Sequence, residues 1–257
     1  MRGYLYLLPV FLALGATAGI WIVFGIAVVH KKVNVSEVFP YISVCGGEPP
    51  PSCVFSQVLN LGAAAAAWIC ILRYHQLRDW GVRKWPNYVI LGSGLLCALG
   101  TSIVGNFQHQ HLLAVHLTGA FLAFFVGTAY FWLQLAVLWR WRNPPQPGGP
   151  WIRLLRLGLC SSCTILMVAM VVLHTQSVRW RSADGPPDAL HARDLRSAAA
   201  VCEWTLAMGL FTLFGLLAVD FWDLDGCSLC LQKKEGPHLS SPPASPVPLQ
   251  TQLSQQL

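Results

Sequence analysis

The most distinctive chemical group in the chain is Glu203, an acid inside the apolar stretch 198–219. An ionisable side chain at the centre of a membrane helix costs about 2.5–3.5 kcal/mol, and such residues usually have a partner or a role. Two interpretations are open. Glu203 makes a polar contact to Asn106, Gln108 or His116 at a similar depth, or it serves a lipid headgroup or a proton. These four residues form the candidate functional cluster.

Two cysteines and a glycosylation motif lie in a loop rich in proline and glycine between the first two apolar stretches. Cys45 and Cys53 are separated by seven residues, and Asn34-Val35-Ser36 is the only N-x-S/T motif of the chain. A Cys45–Cys53 disulfide is permitted on the oxidising side of a secretory membrane, although spacing alone does not establish its geometry. A disulfide and two free thiols are therefore both possible states of this pair. Asn34 is a candidate N-glycosylation site.

A second cysteine pair, Cys227 and Cys230, follows the last apolar stretch. A zinc site would need two further ligands, and only His238 is near. The alternatives for these juxtamembrane thiols are palmitoylation and no modification. The chain has no phosphate-binding glycine loop, no H-E-x-x-H and no nucleophile elbow. We therefore predict no catalytic residue, no metal and no cofactor, so the protein is not expected to be an enzyme.

Composition places these residues in a membrane protein. Hydrophobic residues make up 54% of the chain and charged residues 11%, against about 25% charged in soluble domains. The net charge of +6 is spread over short loops, so nucleic acid is not an expected partner. A helix needs about 20 apolar residues to cross the hydrocarbon core. Six stretches meet or approach this length: 5–29, 54–72, 87–107, 112–139, 157–173 and 198–219.

These stretches predict an all-α integral membrane protein with six transmembrane helices in residues 1–225 and the lipid bilayer as its partner. Eleven of the 17 Lys and Arg residues fall on the side shared by both termini. The positive-inside rule therefore predicts cytosolic N and C termini and an exoplasmic first loop. The tail 226–257 is rich in Ser, Pro and Gln and is predicted to be disordered. The loop 174–197 has no assigned role.

Small residues in two of the stretches predict close helix contacts. Gly92, Gly94 and Gly100 lie in the third stretch, and an alanine run at 63–67 lies in the second. Small side chains let helix backbones approach each other in a membrane. We interpret these residues as packing positions and not as a cofactor site.

Several motifs resemble one family of membrane proteins. The first-loop segment Phe39-Pro40-Tyr41-Ile42-Ser43, followed by Pro49-Pro50 and Ser52-Cys53-Val54-Phe55, is similar to the first-loop signature of the damage-regulated autophagy modulator (DRAM) and transmembrane protein 150 family, related to the yeast Sfk proteins. Further similar segments are 102–108, 116–120 and Cys202-Glu203-Trp204. The resemblance covers residues 1–225, and six spans is the family architecture.

The resemblance implies a function that the residues alone do not. It implies a modulator of macroautophagy and cell survival under stress that acts on membrane and vesicle traffic, with membrane lipids or trafficking and autophagy proteins as partners. It implies a location in the plasma membrane and in endosomal, lysosomal or autophagosomal membranes. Other family members imply two alternatives: a scaffold for a phosphoinositide kinase complex or a regulator of lipid asymmetry. A channel modulator is a further alternative.

Overall fold

Long helices make up the structure, a computed structural model that describes residues 4–140, 148–182, 189–222 and 224. No strand occurs in these ranges, so the all-α expectation is confirmed. The elements in chain order are α1 (Leu7–Val29), α2 (Ile42–Cys45), α3 (Pro51–Asp79), α4 (Lys84–Asn106), α5 (Leu113–Phe121), a π-helical turn (Leu122–Val126), α6 (Gly127–Arg140), α7 (Gly149–Ser182), α8 (Ala189–Gly215) and α9 (Leu217–Asp220).

Six segments of the described chain are long and apolar enough to cross a membrane, which confirms the expected number of spans. They are Leu7–Val29, Pro51–Asp79, Lys84–Asn106, Leu113–Arg140, Gly149–Trp180 and Leu190–Asp220. Helix α7, which forms the fifth span, begins well before the predicted stretch 157–173 and continues beyond it. The length of the apolar stretch does not predict these ends, because the long stems of arginines let a helix continue past its apolar core.

The bundle has two ends, which we name by the segments they carry. The first-loop end holds residues 30–50, the turn 107–112 and the start of α8. The opposite end holds the last turns of α3 and α6, the first turns of α4 and α7, and α9. Helix α1 packs on α3 and α8, α3 packs on α4, and α7 packs on α8.

Glycines allow two of the closest approaches in the bundle. A Cβ on Gly94 would lie 2.9 Å from the ring of Tyr130, and one on Gly100 would lie 2.7 Å from the carbonyl oxygen of Gly119. Both distances are too short for a side chain, so the packing prediction is correct for these glycines. It is wrong for Gly92, where a Cβ would meet nothing within 4 Å.

The π-helical turn divides the fourth span into two halves that share one neighbour and differ in another. Both halves pack against α4, but only α6 also packs closely against α7. A π-helical turn inserts an extra residue and so rotates the helix faces on either side of it. As a result α5 stands away from α7 at the first-loop end, and space is left between them.

Candidate functional site

Two hydrogen bonds fasten the first loop to α8. The indole Nε1–H of Trp204 donates to the carbonyl oxygen of Pro40 at 3.0 Å, and the amide of Ile42 donates to Glu203 Oε2 at 3.0 Å. Both loop atoms belong to the backbone, so these bonds fix the path of the chain. Ile42 begins the short helix α2, whose first amides have no acceptor within the helix. The carboxyl group of Glu203 supplies one.

Two more contacts complete this attachment. The amide of Phe39 donates to Ser197 Oγ at 3.1 Å, and the hydroxyl of Tyr41 lies 3.0 Å from His174 Nδ1 on α7. Burial raises the pKa of Tyr41 to about 12, so the phenol keeps its proton and can donate it to the imidazole. We call residues 39–42 with these four hydrogen bonds the latch.

An aromatic cluster packs beneath the latch around Trp204. Its ring centroid lies 4.7 Å from that of Trp21, 5.6 Å from that of Phe24 and 6.0 Å from that of Phe39. Tilted and edge-on aromatic pairs at such distances contribute about 0.5–1.5 kcal/mol beyond their buried area. The cluster therefore joins α1, the first loop and α8 into one unit.

The predicted polar cluster separates into two groups. Glu203 and His116 are both buried and line the same cavities. The partner of Glu203 is the amide of Ile42, whereas His116 Nδ1 lies 2.7 Å from the carbonyl oxygen of Phe107. Both groups thus contact backbone atoms of connecting segments, and they position those segments at the first-loop end.

Asn106 and Gln108 belong to other contacts. Asn106 Oδ1 accepts from Asn60 Nδ2 at 2.9 Å and from Ser56 Oγ at 3.1 Å, so it pairs the end of α4 with α3. Gln108 contributes its backbone carbonyl, which accepts from the amide of His111 at 3.1 Å. These two residues shape the α4–α5 turn.

A cavity of about 840 Å³ lies between α5 and α7 at the first-loop end. This volume falls in the range of small-molecule sites, about 300–1,000 Å³. Most of the wall is apolar, and we call the space the first-loop cavity. Its apolar wall includes Leu113, Leu117, Phe121, Phe124, Met170 and Val171.

Polar groups converge at one end of the first-loop cavity. Tyr41, His109 and His174 lie there, together with Arg193 and Arg196 from the first turns of α8. Burial lowers the pKa of His109, and the neighbouring charge of Arg196 acts in the same direction. His109 is therefore neutral at pH 7, and the two guanidinium groups carry the positive charge of this end. The cavity is thus amphipathic, with an apolar body and a basic head.

The candidate modification sites lie before α2, at its last residue and after it. Asn34 is exposed five residues after α1, and its Oδ1 accepts from Ser36 Oγ at 2.7 Å. Cys45 and Cys53 are free thiols in this structure, the first buried and the second exposed. Burial raises the pKa of Cys45 to about 12, which disfavours the reactive thiolate. Glycosylation of Asn34 and the Cys45–Cys53 pairing stay predictions.

The opposite end holds a buried ion cluster that the sequence did not indicate. Asp220 Oδ2 lies 3.0 Å from Arg156 Nη2 and 3.4 Å from Arg73 Nη1. Arg73 Nε also donates to Gln134 Oε1 at 2.9 Å, and Arg156 Nη2 donates to the carbonyl oxygen of Leu216 at 2.8 Å. All three charged side chains are less than one-tenth exposed. The cluster ties α3, α6, α7 and α9 together.

The arginines of this cluster look like ordinary topology charges in the sequence. The only available signal was that the apolar pattern of α3 continues beyond Arg73 to the buried Leu77. Cys227, Cys230 and the tail 226–257 lie outside the described residues, as does part of the loop 174–197. Among the residues that the structure describes, no group of His, Cys, Asp and Glu could hold a metal ion.

Comparison with known proteins gives one family along nearly the whole described chain. The model of the Frag1/DRAM/Sfk1/Cwh43P N-terminal domain matches residues 4–224. The chain is 64% identical to "Modulator of macroautophagy TMEM150B" of Bos taurus over 98% of this chain and 100% of the relative. It is 61% identical to the protein of the same name in Homo sapiens, again over 98% and 100%. "Transmembrane protein 150A" of Mus musculus is 27% identical over 90% of this chain and 89% of the relative.

No solved structure matches the chain. The family model and the high identities confirm the family resemblance carried by the first-loop motif. The latch is built from that same motif, so the family signature coincides with the attachment of the first loop. The chain is therefore a multi-pass membrane protein of the Frag1/DRAM/Sfk1 family.

Proposed function

We propose that this protein is a non-catalytic modulator of macroautophagy and of cell survival under stress, and that the first-loop end is its working region. Relatives that share most of its residues are named modulators of macroautophagy. The bundle acts by binding a membrane lipid or a partner protein and thereby alters vesicle traffic. The alternatives are a phosphoinositide kinase scaffold, a regulator of lipid asymmetry and a channel modulator, and no specific feature of the described residues favours them.

The latch is the observation that carries this proposal. Pro40 and Ile42 are held through backbone atoms by consecutive side chains of α8, Trp204 and Glu203. Tyr41, between them, contributes to the wall of the first-loop cavity. A change at α8 therefore moves the loop and the cavity together. Through this coupling, a lipid or protein that binds in the membrane can change the position of the first loop, which a partner would contact.

The orientation and the location are parts of the same proposal. Both termini face the cytosol, and the first loop is exoplasmic in plasma, endosomal, lysosomal and autophagosomal membranes. Glycosylation of Asn34 would support this orientation, because oligosaccharide is added on the lumenal side. A mobility shift on glycosidase treatment that disappears in Asn34→Gln tests it. Cytosolic palmitoylation at Cys227 and Cys230 is tested by hydroxylamine-sensitive acyl labelling of the wild type and the double serine variant.

A matched pair of tryptophan variants tests the function. Trp204→Phe removes the indole donor to Pro40 but keeps an aromatic ring, whereas Trp180→Phe changes an exposed tryptophan of α7. Each variant is expressed at equal level in cells that lack the protein. Autophagic flux is measured as the turnover of an autophagosome membrane marker with and without lysosomal inhibition.

We expect Trp204→Phe to reduce the effect of the protein on flux, and Trp180→Phe to behave as the wild type. Glu203→Leu is a second test, because leucine cannot accept from the amide of Ile42. Normal trafficking and flux in both Trp204→Phe and Glu203→Leu would contradict the role of the latch. Unchanged flux on loss and on overexpression of the wild type would contradict the function itself.

A further inference from the structure

The first-loop cavity opens sideways, toward the position of the lipid. Leu113, Leu117 and Val171 line it, and their side chains are 54%, 56% and 40% exposed. All three lie within membrane-spanning segments. Exposed apolar side chains at this depth face acyl chains and not water. A lipid of the surrounding bilayer can therefore enter between α5 and α7 without crossing a polar barrier.

Two arginines at the polar end of the cavity are available to bind an anion. Arg193 and Arg196 lie three residues apart on α8, which places them on one side of the helix. Among the described residues, neither guanidinium forms an ion pair. Guanidinium groups bind phosphate through paired N–H donors and are the preferred side chains for that purpose.

The balance of charge at this end favours an anion. Glu37 is the carboxylate at the rim of the cavity, and Glu203 is the buried one. Glu203 is already bonded to the amide of Ile42. Among the residues that line the cavity, two arginines against Glu37 leave an excess of one positive charge, and the histidines add none when they are neutral. Asp194, between the two arginines in the chain, is exposed and does not line the cavity.

We propose that the first-loop cavity binds an anionic phospholipid of the surrounding bilayer, with one acyl chain between α5 and α7 and the phosphate at Arg193 and Arg196. The apolar body of the cavity would hold the acyl chain, and the lateral opening would let it enter. The basic head would select an anionic headgroup. This inference deepens the proposed function, because it names the ligand of the same end of the molecule.

The headgroup assignment is tested by lipid binding to the purified full-length protein. The protein in detergent micelles is titrated with phosphatidylglycerol or phosphatidylcholine of identical chains, and bound lipid is counted by native mass spectrometry. Each of the two arginines favours an anionic lipid over a zwitterionic one, so we expect phosphatidylglycerol to bind about 30-fold more tightly than phosphatidylcholine. The double variant Arg193→Gln/Arg196→Gln should lose this preference.

Arg179→Gln is the control, since it removes an exposed arginine of α7 that does not line the cavity. It should keep the preference for phosphatidylglycerol. Equal affinity for the two lipids in the wild type, or an unchanged preference in the double variant, overturns the assignment of the headgroup.

The position of the acyl chain is tested by a pair of neighbouring valines. Val171 and Val172 are similarly exposed, at 40% and 45%, but only Val171 lines the cavity. Val171→Trp should lower the affinity for both lipids about tenfold or more, and Val172→Trp should leave both unchanged. Equal binding by the two variants overturns the location. This failure is distinct from failure of the proposed function, because it is observed on purified protein without reference to autophagic flux.

Discussion

The two ends of the bundle use buried polar groups in opposite ways. At the opposite end, Asp220 lies between two arginines, and the space beside them is only about 10 Å³, about the volume that one water molecule needs. At the first-loop end, polar side chains hold backbone atoms of a loop and border a cavity of about 840 Å³. The charged side chains of the opposite end therefore fill the space between the helices, whereas the polar side chains of the first-loop end border an open cavity.

The contrast indicates that the opposite end stabilises the fold and that the first-loop end can respond to a ligand. Removing one member of a buried ion pair leaves an uncompensated charge, so the opposite end can tolerate little change. The first loop is held by single hydrogen bonds, each worth about 0.5–1.5 kcal/mol net. Such bonds can be exchanged when a ligand enters. We therefore expect mutations at the two ends to separate stability from function.

The largest effect is expected from Asp220→Asn. The substitution leaves the buried guanidiniums of Arg73 and Arg156 without their shared anion, so we expect a loss of about 3–5 kcal/mol in the free energy of unfolding. Chemical unfolding of the purified protein in detergent measures it. Asp79→Asn, at an exposed pair with Arg78, should have little effect. Equal stability of the two variants would show that the ion cluster is not the structural end.

A smaller effect is expected from Glu203→Leu. Leucine cannot accept from Ile42, and a buried amide without an acceptor costs about 1–3 kcal/mol. Glu203→Gln keeps an acceptor and should lose less. The same unfolding assay compares the two. If Glu203→Leu is as stable as Glu203→Gln, the hydrogen bond to α2 does not hold the loop.

Tyr41→Phe should change stability less again. It removes one hydroxyl whose partner is His174, and we expect a loss of about 0.5–1.5 kcal/mol. Proteolysis of the first loop in the native protein is the sharper measurement, because the loss is local. Faster cleavage in Tyr41→Phe with nearly unchanged global unfolding supports the latch. Identical cleavage rates would remove Tyr41 from it.

The reactivity of Cys45 and Cys53 can be tested without any substitution, so no change in stability is expected. In the reduced native protein, exposed Cys53 should react with iodoacetamide, while Cys45, buried and with its pKa raised to about 12, should react only after unfolding. Peptide mass spectrometry gives the order of labelling. The same measurement without reductant determines whether a Cys45–Cys53 disulfide forms in cells. Prior labelling of Cys45 would contradict its burial in α2.

The spans were predictable because apolar length is a local property of the chain. Glu203 was also predictable as a special position, since an acid in a span is expensive wherever it lies. Its partner was not, because the amide of Ile42 is chemically like every other amide. Only the tertiary path of the first loop places that amide beside the carboxyl group.

The ion cluster was not predictable for a different reason. Arg73 and Asp220 lie 147 positions apart in the chain, and each stands near the end of a span, where charges normally set topology. Their burial depends on how far α3 continues and on where α9 turns. The first-loop cavity likewise depends on the π-helical turn at Leu122–Val126, whose apolar residues are typical of any span.

If lipid in the first-loop cavity governs the activity of the protein, a side chain that fills the cavity should abolish that activity. Autophagic flux is measured in cells that express Val171→Trp or Val172→Trp at equal level and location. We expect Val171→Trp to lose the effect on flux and Val172→Trp to retain it. A Val171→Trp protein that has lost lipid binding but modulates flux as the wild type does would show that the bound lipid does not control the activity.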